Sequence, residues 1–380
     1  MAYGKKNVIK IDPLQYNLGI IGEGGIGKTT LIKEVCEKLA GEDGYLFAEC
    51  GREDGADAIA NINYINCPDM HSDYDELNNS VGFANLIEDI LENKESDYPN
   101  LKTLVIDTYD QLKDIMDKEV VRLHNKKNPE KKVDSVKAAF GGYMAGEDMA
   151  DDKILEMLWS LKNVGVHFIV IGHLKAKDIT DPISNETYTQ LTTDMSMRSF
   201  NKIKTKLHFL GVAYVDREIT KEKKNGKEKG VIKSESRRIT FRDDNYALDS
   251  KSRFADITSE SISLNADEFI TALTDAIKAE AEKGGQSMTE LKKIQAKRDK
   301  EQAVKTSENS AKARAKKAEE ELEEQRADII ANITNFFKDA STEQKETAKA
   351  TLNDAGFKKF TDPEVPITLL KQIEDGLADE

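Results

Sequence analysis

Residues 22–29 constrain the fold of this chain more than any other segment. They read Gly-Glu-Gly-Gly-Ile-Gly-Lys-Thr, a full match to the pattern G-x-x-x-x-G-K-[ST]. A strand-like apolar run at 16–21 precedes them, and an amphipathic helical pattern at 30–40 follows. In such an arrangement the backbone N–H groups of a glycine-rich turn and the positive end of a helix surround phosphate oxygens. The segment therefore predicts a nucleotide site between a strand and a helix.

The polar groups of this motif have separate roles in holding a triphosphate. We expect Lys28 to reach the β- and γ-phosphate oxygens and Thr29 to offer its hydroxyl to Mg²⁺. Asp107 ends a second buried strand-like run, 103–107, and is expected to hold the Mg²⁺ shell through water. The predicted nucleotide-binding residues are Gly22, Gly24, Gly25, Ile26, Gly27, Lys28, Thr29 and Thr30, and the predicted Mg²⁺ ligands are Thr29 and Asp107.

Apolar runs of strand length alternate with helical patterns over the first 284 residues. This alternation is typical of an α/β fold with a mostly parallel central sheet and flanking helices. A β-hairpin is predicted near residue 225, where the dipeptide Asn225-Gly226 separates two strand-like runs. The predicted strands are 16–21, 44–49, 103–107, 167–173, 206–219 and 231–242, and the predicted helices are 30–40, 83–93 and 153–163.

The composition changes near residue 284 and divides the chain into three predicted parts. Residues 1–284 form the predicted nucleotide-binding core. Residues 285–327 form a spacer rich in Lys, Glu, Ala and Gln, which indicates either a long solvated helix or a partly disordered link. Residues 328–380 recover an amphipathic pattern and predict a small helical module.

Charge and composition exclude several classes of protein. The 56 basic and 70 acidic residues give a net charge of −14, which argues against a protein that coats nucleic acid with its whole surface. A local basic patch remains compatible with this charge. No apolar run approaches the roughly 20 residues of a membrane span, and the first residues lack the apolar centre of a signal peptide. We therefore expect a cytoplasmic protein with no membrane partner.

Three absent motifs narrow the class of nucleotide-binding protein. No [NT]-K-x-D motif follows a strand, so ATP is favoured over GTP. Glu23 occupies the position of the signature lysine of partition-type ATPases, which disfavours that class. The arginine-bearing motifs expected in the second half of an AAA+ module are not found either. A RecA-type ATPase core remains as the predicted class.

Further motifs make the resemblance more specific. They are the sensor-like strand ending in His173-Leu174-Lys175, the stretch Gly141-Gly142-Tyr143, and Ser252-Arg253-Phe254 after the predicted hairpin. With the order of elements, they make residues 14–275 resemble the phage-encoded RecA-like ATPases that act as single-strand annealing proteins. The resemblance implies a RecA-like P-loop core.

The resemblance also implies which residues support hydrolysis. Glu49, near the end of the second strand, is the first candidate for the base that orients the attacking water, and Glu53 is the second. His173 is implied as a sensor of the γ-phosphate. The predicted catalytic residues are Lys28, Glu49, Glu53, Asp107 and His173.

Two basic segments, 122–146 and 174–200, match the loops that hold single-stranded DNA in a RecA-type core. Lysines neutralise phosphates and aromatic rings stack on bases, as sequence-tolerant binding requires. The alternative reading is a pair of solvated basic loops. The predicted DNA-binding residues are Lys126, Lys127, Lys131, Lys132, Tyr143, Lys175, Lys177, Arg198 and Lys202.

Together these features predict an ATPase that binds single-stranded DNA and promotes annealing or recombination in a bacteriophage, in the cytosol of the bacterial host. Hydrolysis is expected to be slow and stimulated by DNA. Expected partners are single-stranded DNA, further copies of the chain in a ring or filament, and a single-strand binding or other replication protein. Two alternatives stay open: a helicase-related or loader ATPase of phage replication, and a nucleotide-gated scaffold that recruits replication proteins.

Overall fold

The computed structural model describes residues 4, 6–224, 227–243 and 247–378. Residues 1–310 form one compact unit and residues 311–380 form a second. The strands are β1 (Leu18–Gly22), β2 (Tyr45–Cys50), β3 (Tyr64–Cys67), β4 (Thr103–Asp107), β5 (His167–Thr180), β6 (Thr187–Thr193), β7 (Phe209–Lys224), β8 (Lys227–Thr240), β9 (Lys251–Ser252) and β10 (Ile262–Ser263). The helices are α1 (Lys28–Ala40), α2 (Phe83–Asn93), α3 (Tyr109–Lys127), α4 (Ala145–Asn163), α5 (Met197–Lys204), α6 (Ala266–Lys283), α7 (Met288–Asp339), α8 (Thr342–Asp354) and α9 (Ile367–Ala378).

The first unit is built on one sheet with strand order β10-β8-β7-β1-β5-β4-β2-β3. From β7 to β3 every neighbouring pair is parallel, and β8, β9 and β10 pair antiparallel. The predicted α/β fold, with a mostly parallel central sheet and flanking helices, is confirmed. Strand β5 lies between β1 and β4 and is parallel to both, so the carboxyl ends of all three strands meet at one edge of the sheet.

Apolar side chains cover both faces of this sheet, as expected for parallel strands. Helices α2, α3, α4 and α5 pack on one face, around fully buried side chains such as Phe83 and Phe168. Helices α1 and α6 pack on the other face, around Ile32 and Phe269. Burying one such side chain contributes roughly 1.5–3 kcal/mol. The two layers therefore fix the strand ends that carry the polar residues of the site.

The segment 174–200 differs from the predicted loop. Strand β5 continues to Thr180 and pairs antiparallel with β6, followed by the short helix α5. The turn between the two strands is closed by the N–H of Asp181, which donates to the carbonyl of Glu186, with Asn185 at a left-handed φ of 58°. Polar Thr and Lys side chains can alternate on an exposed hairpin, so polarity alone did not distinguish it from a loop.

The segment 122–146 also contains more helix than predicted. Helix α3 continues to Lys127, and α4 begins at Ala145 rather than at residue 153. The apolar stripe used for the prediction starts at Ile154. The first turns of α4 instead bury acidic side chains, Glu147 and Asp151, which a search for apolar periodicity passes over.

Helix α7 spans the predicted charged spacer and crosses the division between the two units, which falls after Ser310. In the second unit the end of α7 packs with α8 and α9 around buried residues such as Ile333 and Leu370. The predicted boundaries at 284 and 327 remain predictions. The turn residues Asn225 and Gly226 lie outside the described residues. Within the described ranges no helix is long and apolar enough to cross a membrane.

Candidate nucleotide-binding site

The glycine-rich turn joins β1 to α1 with the backbone that phosphate binding requires. Gly25 and Gly27 have left-handed φ angles of 73° and 105°, which residues with a Cβ adopt only with strain. A Cβ added at Gly24 or Gly25 would have no atom within 4 Å, so the turn lies open on this side. Ile26 anchors it by packing into the core beneath. Thr30, also predicted to contact the nucleotide, is exposed in the first turn of α1.

Lys28 lies inside this turn. Its ammonium donates to the carbonyls of Gly22 and Glu23, both at 3.0 Å. Burial lowers the pKa of Lys28, while the carboxylates of Asp107, Asp110 and Glu53 act in the opposite direction. A buried cation surrounded by neutral carbonyls at the start of a helix suits a polyanionic ligand such as a triphosphate.

Thr29 and Asp107 lie together, as predicted for a Mg²⁺ site. The Thr29 hydroxyl donates to the Asp107 carboxylate at 2.7 Å. Burial raises the pKa of Asp107 to about 6, although the Thr29 hydrogen bond and the charge of Lys28 lower it. Mg²⁺ commonly uses one or two protein oxygens together with phosphates and water. The pair fits this donor set, and within the described ranges no cluster of three or more His, Cys, Asp or Glu offers a full metal cage.

Glu49 lies on the strand next to Asp107, and the two residues are direct partners in the β2–β4 register. Its side chain is 2% exposed. One carboxyl oxygen accepts from the N–H of Ala56 at 2.6 Å, and the buried Oε2 has no hydrogen-bond partner among the described residues. Burial raises the pKa of Glu49 to about 7, and the nearby Asp107, Asp57 and Glu53 charges add to the rise. Such a carboxyl group can accept a proton near neutral pH.

His173 ends the part of β5 that pairs with β1, where it is the register partner of Gly22. Its Nδ1 lies 2.7 Å from Asp110 Oδ2, and its backbone N–H donates to Asp110 Oδ1 at 3.2 Å. On the other side of the ring, Nε2 lies 3.8 Å from Glu53. The Asp110 hydrogen bond raises the pKa of His173. The structure thus brings all five predicted catalytic residues to one edge of the sheet: Lys28, Glu49, Glu53, Asp107 and His173.

Sequence reasoning missed two residues of this site. Asp110, in the first turn of α3, fixes His173, and the signal for it was its place three residues after Asp107. Arg237 on β8 donates from Nη1 to the Ile26 carbonyl at 3.1 Å and so braces the glycine-rich turn. Arg237 is separated from that turn by more than 200 residues, and no local pattern marks such a contact.

The predicted DNA-binding residues fall into two sets. Lys126 and Lys127 end α3, Lys131 and Lys132 follow in the next turn, and Tyr143 is fully exposed at a left-handed φ of 49°. The four lysines are exposed, and none has a carboxylate of the described residues within 4.0 Å. This first set is free to meet a polyanion.

The second set is engaged within the protein. Lys175 pairs with Asp194 at 3.0 Å, and Lys177 donates to the Met195 carbonyl at 2.5 Å. Asp148 on α4 holds both remaining cations: Arg198 at 2.6 Å and Lys202 at 2.9 Å. Lys175 and Lys177 lie on β5, and Arg198 and Lys202 lie on α5, rather than in the predicted loop, and each already has a partner.

Comparison with known proteins identifies the family of the chain. A family model described as an AAA domain matches residues 14–254, well over half of the chain. This match corrects the expectation that AAA-type modules could be set aside. None of the curated proteins compared with the chain matches it.

Two solved structures show remote similarity. A KaiC-like protein from the archaeon Pyrococcus horikoshii OT3 is 14% identical, with a TM-score of 0.32 over 65% of this chain and 83% of that chain. The flagellar accessory protein FlaH from Methanocaldococcus jannaschii is 9% identical, with a TM-score of 0.26 over 62% of this chain and 79% of that chain. Likenesses this remote add nothing to what the sheet order already shows.

Proposed function

The chain belongs to the AAA-domain family, and from this premise we propose that it is an ATP-hydrolysing, single-stranded-DNA-binding protein that promotes annealing or recombination. The P-loop and the RecA-like order of strands support the ATPase part. The resemblance of residues 14–275 to phage annealing ATPases supports the DNA part and a bacteriophage origin, with action in the host cytosol. Assembly of several copies along or around the strand completes the proposal.

The observation that carries the proposal is the bond between His173 and Asp110. Asp110 opens α3, whose far end bears Lys126 and Lys127, and His173 lies on β5, which continues to Lys175 and Lys177. One 2.7 Å contact beside the phosphate site thus joins both elements that lead to the cationic segments. A change in charge at the γ-phosphate position would act on His173 and shift both elements together.

The residues of the site suit in-line hydrolysis of ATP. Lys28 and the N–H groups of the glycine-rich turn stabilise charge that builds on the phosphoryl oxygens. Thr29 and Asp107 would hold Mg²⁺, which supplies neutralisation of phosphate charge when bound. The Glu49 carboxylate would accept the proton of the attacking water as the new O–P bond forms and the bond to the β-phosphate breaks. A pKa of about 7 leaves about half of this base protonated at neutral pH, which is consistent with slow turnover.

The two sets of cations would engage DNA in different ways. Lys126, Lys127, Lys131 and Lys132 are exposed and form no ion pair with the described carboxylates, so they can neutralise phosphates at once, and the exposed ring of Tyr143 can stack on a base. Arg198 and Lys202 must first leave Asp148. Exposed ion pairs of this kind are worth roughly 0–1 kcal/mol each, so the phosphates of a bound strand can displace them.

Reversing the charge of the four exposed lysines to Glu should weaken binding of a labelled single-stranded oligonucleotide at least tenfold. The slope of log affinity against log salt should become shallower, because fewer counterions are released. Fluorescence anisotropy over a salt series measures both quantities, and an annealing assay with two complementary oligonucleotides should lose rate in parallel.

The matched control reverses Lys292, Lys293, Lys297 and Lys300, which are exposed on α7 and change the net charge equally. Its DNA affinity should stay within about twofold of the unmodified protein. Equal losses in both variants would mean that overall charge alone governs binding, and the segment 126–143 would then leave the proposal.

Unwinding and DNA-binding assays on the same protein distinguish the two alternative functions from the proposed one. A helicase-related or loader ATPase should unwind a forked duplex in an ATP-dependent reaction, whereas the proposed protein should anneal strands and leave the duplex intact. A scaffold should bind neither strand tightly. The separate apolar core of residues 329–377 gives the scaffold reading a physical basis, since a small independent module is suited to docking a replication protein such as a single-strand binding protein.

A further inference from the structure

A second cavity of the first unit lies at the sheet edge opposite to the glycine-rich turn. It has a volume of about 1160 Å³. Its walls come from the segment before β1, the loops at the amino ends of β2, β4 and β5, and residues 295–306 of α7. Ligand sites commonly occupy clefts of roughly 300–1,000 Å³ with a few converging polar groups. Nothing in the proposed ATP and DNA chemistry uses this cavity.

Among the buried and half-buried residues that line this cavity, positive charges outnumber negative ones. The charged lining residues that are buried or half-buried comprise four cations, Lys10, Lys94, Lys162 and Arg298, and one carboxylate, Asp12. The remaining charged groups of both signs are exposed on the rim, where solvent screens them. The interior of the cavity therefore carries a surplus of positive charge.

Three of these cations form no ion pair with a carboxylate of the described residues. Lys162 donates to the side-chain oxygen of Asn17 at 2.7 Å, and Arg298 donates to the Val8 carbonyl at 3.0 Å. Over the described part of the chain, Lys10, Lys162 and Arg298 have no carboxylate oxygen within 4.0 Å, and Lys10 Nζ makes no hydrogen bond. By contrast, Lys94 is fully engaged by the carbonyls of Tyr98 and Pro99. The Asp12 carboxylate already accepts from the N–H of Leu14 at 2.9 Å.

The positive charges of these groups lower one another's pKa values. Burial and the charge of Lys10 lower the pKa of Lys162 to about 8. Burial and the charge of Arg298 lower the pKa of Lys10, although the charge of Asp12 acts in the opposite direction. His167, at the start of β5, is held neutral because burial, Lys10 and Lys162 lower its pKa to about 3. Among the described residues its Nδ1 has no hydrogen-bond partner, although the atom is buried.

We propose that this cavity is a second anion site, which binds a small molecule carrying two or more phosphate groups between Lys10, Lys162 and Arg298. Each cation comes from a different segment, so a polyanion would join the region before β1, the end of α4 and the first part of α7. Charge-assisted hydrogen bonds to phosphate would offset the repulsion among the three side chains. The site is separate from the glycine-rich turn and requires no hydrolysis.

The chain has a built-in reporter for this site. Trp159 is its single tryptophan, and Lys162 Nζ lies 5.2 Å from the centre of the indole ring. An anion that draws Lys162 away from the ring would change the cation–π contact and the emission of Trp159. Inorganic pyrophosphate is the probe, titrated at constant ionic strength into the full chain with Lys28→Ala, which removes the competing phosphate site.

We expect saturable changes in Trp159 emission and a rise in melting temperature with pyrophosphate. Adding Lys10→Gln and Arg298→Gln should weaken the apparent affinity at least tenfold. The control pair Lys297→Gln and Lys300→Gln removes the same charge from α7 outside the cavity and should leave the affinity within about twofold. An unchanged emission and melting temperature in the Lys28→Ala chain, or equal losses in both pairs, would overturn the proposal.

Two further arms keep the test decisive. If the double variant Lys10→Gln and Arg298→Gln does not fold, the single variant Lys10→Gln replaces it, because Lys10 Nζ makes no hydrogen bond within the described residues. The single variant should weaken pyrophosphate binding at least threefold. An unchanged affinity would refute the site. A long single-stranded oligonucleotide with a 5′-phosphate distinguishes the phosphate source. Failure of this oligonucleotide to displace pyrophosphate supports a small-molecule ligand, and displacement at equal concentration overturns that assignment in favour of a nucleic-acid end.

Discussion

Replacing Lys28 with Ala should weaken ATP binding at least a hundredfold and abolish hydrolysis. The Lys28 ammonium is buried inside the glycine-rich turn, where it donates to the carbonyls of Gly22 and Glu23. Loss of a desolvated cation that faces a phosphate costs roughly 3 kcal/mol, which corresponds to about two powers of ten in affinity. Titration with a fluorescent ATP analogue measures the change.

The fold should survive this substitution, because burial already disfavours the charged form of Lys28. Lys38→Ala is the matched control, because Lys38 lies in the last turn of the same helix, is exposed and pairs with Asp267. Its ATP affinity should be unaltered. Wild-type affinity in Lys28→Ala would remove the nucleotide site from residues 22–29.

Glu49→Gln should reduce the rate of ATP hydrolysis by 10²–10⁴ while leaving ATP affinity within a few-fold, as expected for loss of a general base. The Gln side chain has the same shape and can still accept from the Ala56 N–H, but it cannot take a proton. In the unmodified protein the rate should rise with pH through about 7, the pKa of Glu49, and this dependence should vanish in the variant.

The same substitution should stabilise the protein at high pH. The pKa of Glu49 is raised from its ordinary 4.5 to about 7, so the folded state binds this proton more tightly than the unfolded state. Stability from the protonated group is complete below pH 4.5 and lost as pH rises through 7. At 1.36 kcal/mol per pKa unit, Glu49→Gln should gain up to about 3 kcal/mol relative to wild type between those limits. Chemical denaturation at pH 5 and pH 8 tests this.

Glu53→Gln separates the two candidate bases. Glu53 is more exposed than Glu49 and lies 3.8 Å from His173 Nε2, where it can tune the sensor without accepting a proton from water. We expect less than a tenfold loss of rate. A large loss in Glu53→Gln with a near-normal Glu49→Gln would reverse the assignment of the base.

The nucleotide site was predictable because its determinants are local. The glycine pattern, the buried strand before it and the helix after it are all adjacent in the chain, and Asp107 stands at the end of a second clear apolar run. Strands β1, β2 and β4 and helices α1 and α2 accordingly lie within about two residues of their predicted bounds. The mostly parallel sheet followed from the alternation of these elements.

Features that depend on distant contacts were not predictable. Arg237 reaches the glycine-rich turn only because β8 pairs with β7, and β7 pairs with β1, in the same sheet. Pairing of Arg198 and Lys202 with Asp148 depends on α5 packing against α4, so composition alone made these cations look free. The hairpin β5–β6 was hidden by its polar residues, and β3 by its shortness.

The most direct test of the account measures single-stranded DNA affinity with and without ATP and Mg²⁺, in the unmodified protein and in Asp110→Asn. Asp110 fixes His173 through both ring and backbone, so its substitution should disconnect the phosphate site from α3 and β5. We predict that ATP changes the affinity of the unmodified protein at least tenfold, a coupling of about 1.4 kcal/mol, and that of Asp110→Asn less than threefold. The proposed coupling would be contradicted by identical DNA affinities with and without ATP in the unmodified protein, or by an ATP effect on affinity in Asp110→Asn as large as in the unmodified protein.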